Sequence, residues 1–136
     1  WNSSMMGMHI NELYVRHYGL PHDRFREEKK RSNEYVKARL PRIRQKVQKS
    51  EDPIYTALQY AIMGNYIDFS ALGKNVSFDA LEQMLEQPEK FEVDKTVYRQ
   101  FRTELDRAEK MLYITDNAGE IVFDRLFAET LAEKYQ

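Results

Sequence analysis

Asp116, Asn117, Glu120 and Asp124 set four oxygen-bearing side chains around the glycine at 119. A carboxylate beside an amide oxygen can hold a hard divalent cation. Gly119 lets the backbone turn sharply, and a helix N-terminus after the turn favours an anion such as phosphate. Metal-assisted phosphate chemistry is therefore open to these residues. So is a structural role, because Asp and Asn also make turns and cap helices well.

The flanking elements suit either role. Residues 111–114, Met-Leu-Tyr-Ile, form a brief apolar run of strand length. From Ile121 the period becomes helical, with Val122 and Leu126 on one line and Phe123, Phe127 and Leu131 on the next. In an open α/β sheet, ligands bind beyond the carboxyl ends of the strands, which is where Asp116 and Asn117 fall. Glu120 also suits the first turn of a helix through the dipole, and Asp124, one turn further on, reads as structural.

Upstream the pattern is helical. A first helix over 8–18 carries Ile10, Leu13, Tyr14 and His17 and ends at Gly19 and Pro21. Asp23 caps a second helix running to about residue 39, Pro41 breaks or kinks it, and Ile43 and Val47 extend its apolar line to 49. Asp52 and Pro53 start a third helix, with Ile54, Ala57, Leu58, Ala61 and Ile62 on a deeply packed face. Gly64 and Asn65 loosen its end. Asp68, among apolar neighbours, is either a structural helix-end residue or part of a site. After a loop over 72–75, Ser77 caps a short helix carrying Phe78, Leu81 and Leu85, closed by Pro88. Asp94 caps another with Val97, Tyr98, Phe101 and Leu105 on its buried face. The plan is a bundle of about six helices leading into one βα unit.

Composition narrows the function classes. The chain has 136 residues, 42% hydrophobic and 32% charged, with a net charge of −1; this is a folded composition with no overall pull toward nucleic acid or membrane. Residues 23–49 hold eleven Lys and Arg against four Asp and Glu. The apolar stripe of Tyr35, Val36, Leu40, Ile43 and Val47 makes this the solvated face of an amphipathic helix rather than a nucleic-acid surface. Without cysteine there is no disulfide or thiolate metal site. His9, His17 and His22 have no zinc-ligand spacing. No apolar run has the length of a membrane span, and a cytoplasmic location is expected.

Asp116-Asn-Ala-Gly-Glu-Ile-Val-Phe-Asp124 resembles the signature of the metal-dependent damage-control phosphatases, in the branch found mainly in archaea and bacteria. Phe25-Arg-Glu-Glu-Lys-Lys-Arg-Ser-Asn33 and Ala61-Ile-Met-Gly-Asn65-Tyr-Ile-Asp68-Phe69 are similar to two segments of that branch's helical region, in the same order. Arg26, Lys30 and Asn33 are matching positions without assigned roles. The resemblance implies a helical domain over 1–109 and, over 110–136, the first strand and helix of a Rossmann-like α/β/α domain whose remainder lies outside this chain.

It further implies that Asp116 and Asn117 are the catalytic metal ligands, for Mn²⁺, Co²⁺, Ni²⁺ or Mg²⁺, with a third ligand, an Asp on a later strand, absent here. Glu120, Asn65 and Asp68 are then the expected substrate contacts. The expected activity is hydrolysis of phosphomonoesters of small metabolites, sugar phosphates or damaged phospho-metabolites, with the isolated segment inactive. A different expectation is a non-catalytic assembly module, in which an unpaired apolar edge over 111–115 drives homo-oligomer formation. Protein carboxyl methylation, linked to a distant branch, ranks last because no glycine-rich cofactor turn is present.

Overall fold

Side-chain caps start three of the helices. In the computed structural model, which describes residues 2–66 and 78–135, Asn2 accepts from the Met5 amide at 3.0 Å and opens α1 (Ser3–Tyr18). Asp52 accepts from Tyr55 N at 3.2 Å at the start of α3 (Pro53–Tyr66). Asp94 accepts from Thr96 N and Val97 N at 2.7 and 3.0 Å and opens α5 (Lys95–Leu105). Each cap satisfies amides that lack an intrahelical partner. The remaining helices among the described residues are α2 (Arg26–Lys49), α4 (Phe78–Glu86) and α6 (Glu120–Lys134), with a 3-10 turn at Pro88–Lys90.

The core lies where α2, α3, α4 and α6 meet. Val36, Ile43 and Val47 come from α2, Ile54, Ala57, Tyr60, Ala61 and Met63 from α3, and Leu81 and Leu85 from α4. From α6 come Val122, Phe123, Leu126, Phe127 and Leu131, the stripe its period predicts. α3 packs most extensively on α6. Gly64 explains how closely: a Cβ there would lie 2.7 Å from Phe123 Cδ2 and 3.4 Å from Glu120 Cα. Phe123 has no room to yield, being fully buried and stacked on Tyr60 at 6.0 Å. Gly64 thus does not loosen the end of α3; it brings α3 against the start of α6 while the helix continues to Tyr66.

Four further expectations are corrected. α2 passes through Pro41 unbroken. One backbone bond is lost at the proline, but buried Val36 on one side and Ile43 and Val47 on the other hold both halves to the core. Ile62 and Val97 are exposed, because the burial of Tyr60 and Met63 turns α3, and the half-buried Tyr98 and Phe101 turn α5, toward other neighbours. α1 has no buried residue, so its apolar line and His17 face outward. Residues 111–116 form no strand among the described residues, since an extended segment needs a partner to make a sheet. The described residues are thus helical, and they show no strand of a Rossmann-like sheet. Asp68, Phe69, Ser77 and the 72–75 loop lie outside the described residues, and no described helix is long and apolar enough to cross a membrane.

The basic stretch is more than a solvated face. In its second half Arg39 and Arg42 pair with Glu82, Arg42 also with Glu86 at 2.8 Å, Lys46 with Glu86, and Arg44 with Glu129 at 2.5 Å. These pairs tie α2 to α4 and α6. Each half-exposed pair contributes under about 1 kcal/mol.

Gly64→Ala should cost about 1–3 kcal/mol by overpacking against Phe123. Urea unfolding measures this, and an unchanged midpoint would contradict the close-approach account.

Candidate functional site

After α5 the chain crosses to the start of α6 along residues 111–116. Along this run, Tyr113 is half-buried between Leu112 and Ile114, which are 86% and 83% exposed. This alternation is that of an extended chain with one face covered. The covering surface is α6: the Tyr113 ring lies 5.9 Å from Phe127, and its hydroxyl donates to Asp124 Oδ1 at 2.7 Å. Burial and the Asp124 carboxylate push the Tyr113 hydroxyl pKa well up, so it stays a donor. One aromatic residue thus pins the approach to the turn.

The turn itself depends on Gly119, whose φ of 86° lies where a Cβ is strained. Ile121 N donates to Asn117 O at 3.0 Å and Val122 N to Gly119 O at 3.2 Å, which starts α6. Two neighbouring helices then hold the turn. Asn33 of α2 accepts from Gly119 N through Oδ1 at 2.6 Å. Asn65 of α3 donates through Nδ2 to Glu120 Oε1 at 2.9 Å, and Asn117 N donates to Glu120 Oε2 at 3.4 Å. Glu120 is only 6% exposed. The three sequence segments that carry the family resemblance, around Asn33, Asn65 and Asp116, therefore converge on one turn.

The side chains of Asp116 and Asn117 are exposed on this turn. An Asp carboxylate and an Asn amide oxygen are hard oxygen donors suited to Mg²⁺ or Mn²⁺, which usually keep several waters. The pair fits such an ion. Among the described residues no three His, Cys, Asp or Glu side chains are grouped to hold one by themselves. The Gly119 amide is not open to a phosphate, because Asn33 occupies it; this corrects the expectation of an anion on the bare helix start.

Negative charge is concentrated behind the pair. Asp124 is 3% exposed, and among the described residues its Oδ2 has no hydrogen-bond partner. Burial pushes its carboxyl pKa above the usual Asp range, and the charges of Glu120 and Asp116 add to this against the Tyr113 hydrogen bond. Among the described residues no Lys or Arg forms an ion pair with Asp116, Glu120 or Asp124. Three carboxyl groups with no counter-charge among the described residues favour a cation nearby.

Asn33, Tyr113 and Asp124 are the site's members without a sequence-assigned contact. Asn33 differs in position from Gly119 by 86, and no local pattern signals such a contact. Arg26 and Lys30 share its helix line at i, i+4, i+7 and are exposed.

Because the folded state raises the Asp124 pKa, it binds that proton more tightly than the unfolded chain. The penalty is absent below the unfolded value of about 3.9 and grows as pH rises through the folded one. Asp124→Asn should therefore raise stability at pH 7 more than at pH 4, as read by denaturant unfolding at both. An equal effect at the two values would contradict a carboxyl held above its usual range.

The chain matches known proteins over most of its length. Residues 4–136 match the model of the damage-control phosphatase ARMT1-like domain. A damage-control phosphatase of Archaeoglobus fulgidus is 31% identical over 112 residues, covering 82% of this chain and 38% of that protein. One from Pyrococcus horikoshii is 41% identical over 80 residues, 57% of this chain and 26% of its own length. An uncharacterised protein of Methanocaldococcus jannaschii is 26% identical over 125 residues, 90% of this chain and 40% of its own length. No solved structure matches significantly. The chain thus spans about a quarter to two fifths of these relatives, and it belongs to the damage-control phosphatase ARMT1-like domain family.

Proposed function

We propose that the protein containing this chain is a metal-dependent phosphatase acting on phosphomonoesters of small metabolites, with Asp116 and Asn117 as two of its metal ligands. Family membership supports a phosphatase. The observation that carries the metal assignment is the exposed carboxylate–amide pair on a turn held from α2 and α3, beside carboxylates that no Lys or Arg among the described residues pairs with. A divalent cation at this pair would supply positive charge to polarise a phosphoryl oxygen and to acidify a water.

The chain's own residues have separable parts in this reading. Asp116 and Asn117 offer oxygens to solvent. Glu120, buried and bonded to Asn65 and the Asn117 amide, fixes the ligand turn in place. Asn65, itself exposed, borders the same site from α3 and is our candidate, with Asp68, for substrate contact. Asp124 and Tyr113 hold the approach segment and add negative potential. The substrate is a small phosphorylated metabolite, with no role for nucleic acid or membrane, and the setting is cytoplasmic.

A second reading, self-association through the extended segment, is favoured by exposed Leu112 and Ile114. An edge with such residues can pair with another strand.

The test is hydrolysis of a phosphomonoester panel by the full-length protein with Mn²⁺, Co²⁺, Ni²⁺ or Mg²⁺. Losing several kcal/mol of metal-derived stabilisation, at tenfold per 1.4 kcal/mol, should make Asp116→Ala about 100-fold or more slower while still folded. Full activity in that variant would remove Asp116 from the site. An inactive wild type that self-associates would favour the second reading.

A further inference from the structure

Gly119 sits between the proposed ligands and the first residue of α6, in a backbone conformation that leaves a glycine much freedom. As N-cap of α6 it brings no side chain to the helix start. The group that fixes its peptide comes from elsewhere: Asn33 Oδ1 lies 2.6 Å from Gly119 N. Asn33 is itself firmly placed. α2 is anchored by buried Ser32 and Val36 on either side of it, Ser32 donating to Glu28 O at 2.9 Å. Further along, Arg44 pairs with Glu129 and ties α2 to α6 directly. The acceptor is therefore held by the same helix pair whose junction carries the turn.

The other half of the turn is held differently. The Asn117 amide is bonded within the turn, to Glu120, and Glu120 is bonded to Asn65. With the peptides at 117 and 119 both tied, the side chains of Asp116 and Asn117 remain turned to solvent. Loss of the Glu120 contact would leave Asn33 holding the turn; loss of the Asn33 contact would leave the glycine peptide free to rotate. That peptide sits two residues from Asn117, so its rotation moves the ligand oxygens relative to one another. Groups that orient metal ligands without touching the metal usually change affinity about 10- to 100-fold when removed.

We propose that Asn33 is a positioning residue for the metal site: by accepting from the Gly119 amide it holds Asp116 and Asn117 in the orientation that binds one cation. This rests on the phosphatase reading above. The part of Asn33 that matters is its oxygen acceptor, which separates the proposal from a general packing role. Leucine is close to asparagine in shape and lacks the acceptor; aspartate keeps it.

The experiment is Mn²⁺ binding to the full-length protein, by calorimetry and by the Mn²⁺ spin-resonance signal, in wild type, Asn33→Leu and Asn33→Asp. Circular dichroism confirms folding, and amide hydrogen exchange over residues 117–120 reports the turn. Asn33→Leu should weaken Mn²⁺ binding by about tenfold or more and speed exchange at 119, whereas Asn33→Asp should stay within about threefold of wild type. Should Asn33→Leu unfold, Asn33→Ser, polar but too short to reach Gly119, takes its place. Wild-type affinity in the acceptor-less variant, or equal loss in both variants, overturns the role given to Asn33 and leaves the metal site standing. No Mn²⁺ binding by the wild type overturns the metal site itself and the role of Asn33 with it.

Discussion

The close approach of α3 to α6 at Gly64 is the contact on which the rest of the structure depends. A glycine, stacked Tyr60 and Phe123 rings, and the backbone of Glu120 meet there with no space for one added carbon. Interiors packed at this density transmit position from one helix to the next. Asn65 follows Gly64 directly, so the fit that seats the glycine also sets Asn65 Nδ2 against Glu120. The core of α3 and the geometry of the ligand turn are thus one packing solution. α2 joins it through its own apolar stripe and through Arg44 and Glu129, and this delivers Asn33 to the other side of the turn.

The same region carries what a purely structural protein would avoid. Asp124 is buried with one oxygen unpartnered among the described residues, and two more carboxylates stand close enough to act on it. An unsatisfied buried polar atom costs about 1–3 kcal/mol, and an uncompensated charge costs more. Sites that work on charged ligands are where such costs are tolerated. Elsewhere the chain satisfies its polar groups economically. Asp52 caps α3 and also accepts from Tyr98 at 2.8 Å and Arg102 at 3.3 Å, joining α3 to α5. Glu82 and Glu86 each take two basic partners from α2. The contrast sets the turn after residue 116 apart from the well-satisfied polar groups described elsewhere.

Much of this was legible in the sequence, and the physical reasons for the exceptions are specific. Caps at Asp52 and Asp94 and the stripe on α6 are local signals, and they hold. The break offered as one outcome at Pro41 does not occur, because a propensity is a weak constraint beside buried residues on both sides of it, and the apolar line through Ile43 and Val47 continues. Ile62 sits on a clean periodic line yet faces out, because α3 packs around the wider face of Tyr60 and Met63. The apolar run over 111–114 has strand composition, but a strand exists only with its partner, and pairing is not a property of one segment. The proposed ligand pair stands out by residue type around Gly119. Its supports could not: Asn33 and Asn65 reach it across separations of 86 and 55 residues. The resemblance of their two segments to the same family was the only sign that they belonged together.

In our proposal one cation binds at Asp116 and Asn117 on a turn already held by α2 and α3. The most direct measurement is anomalous diffraction from crystals of the full-length protein soaked in Mn²⁺. A single strong peak is expected within about 2–2.6 Å of a carboxylate oxygen of Asp116 and the amide oxygen of Asn117, with the Asn33 contact to Gly119 and the Asn65 contact to Glu120 both retained. A peak on other residues, or a turn rebuilt with those two hydrogen bonds broken, would contradict it.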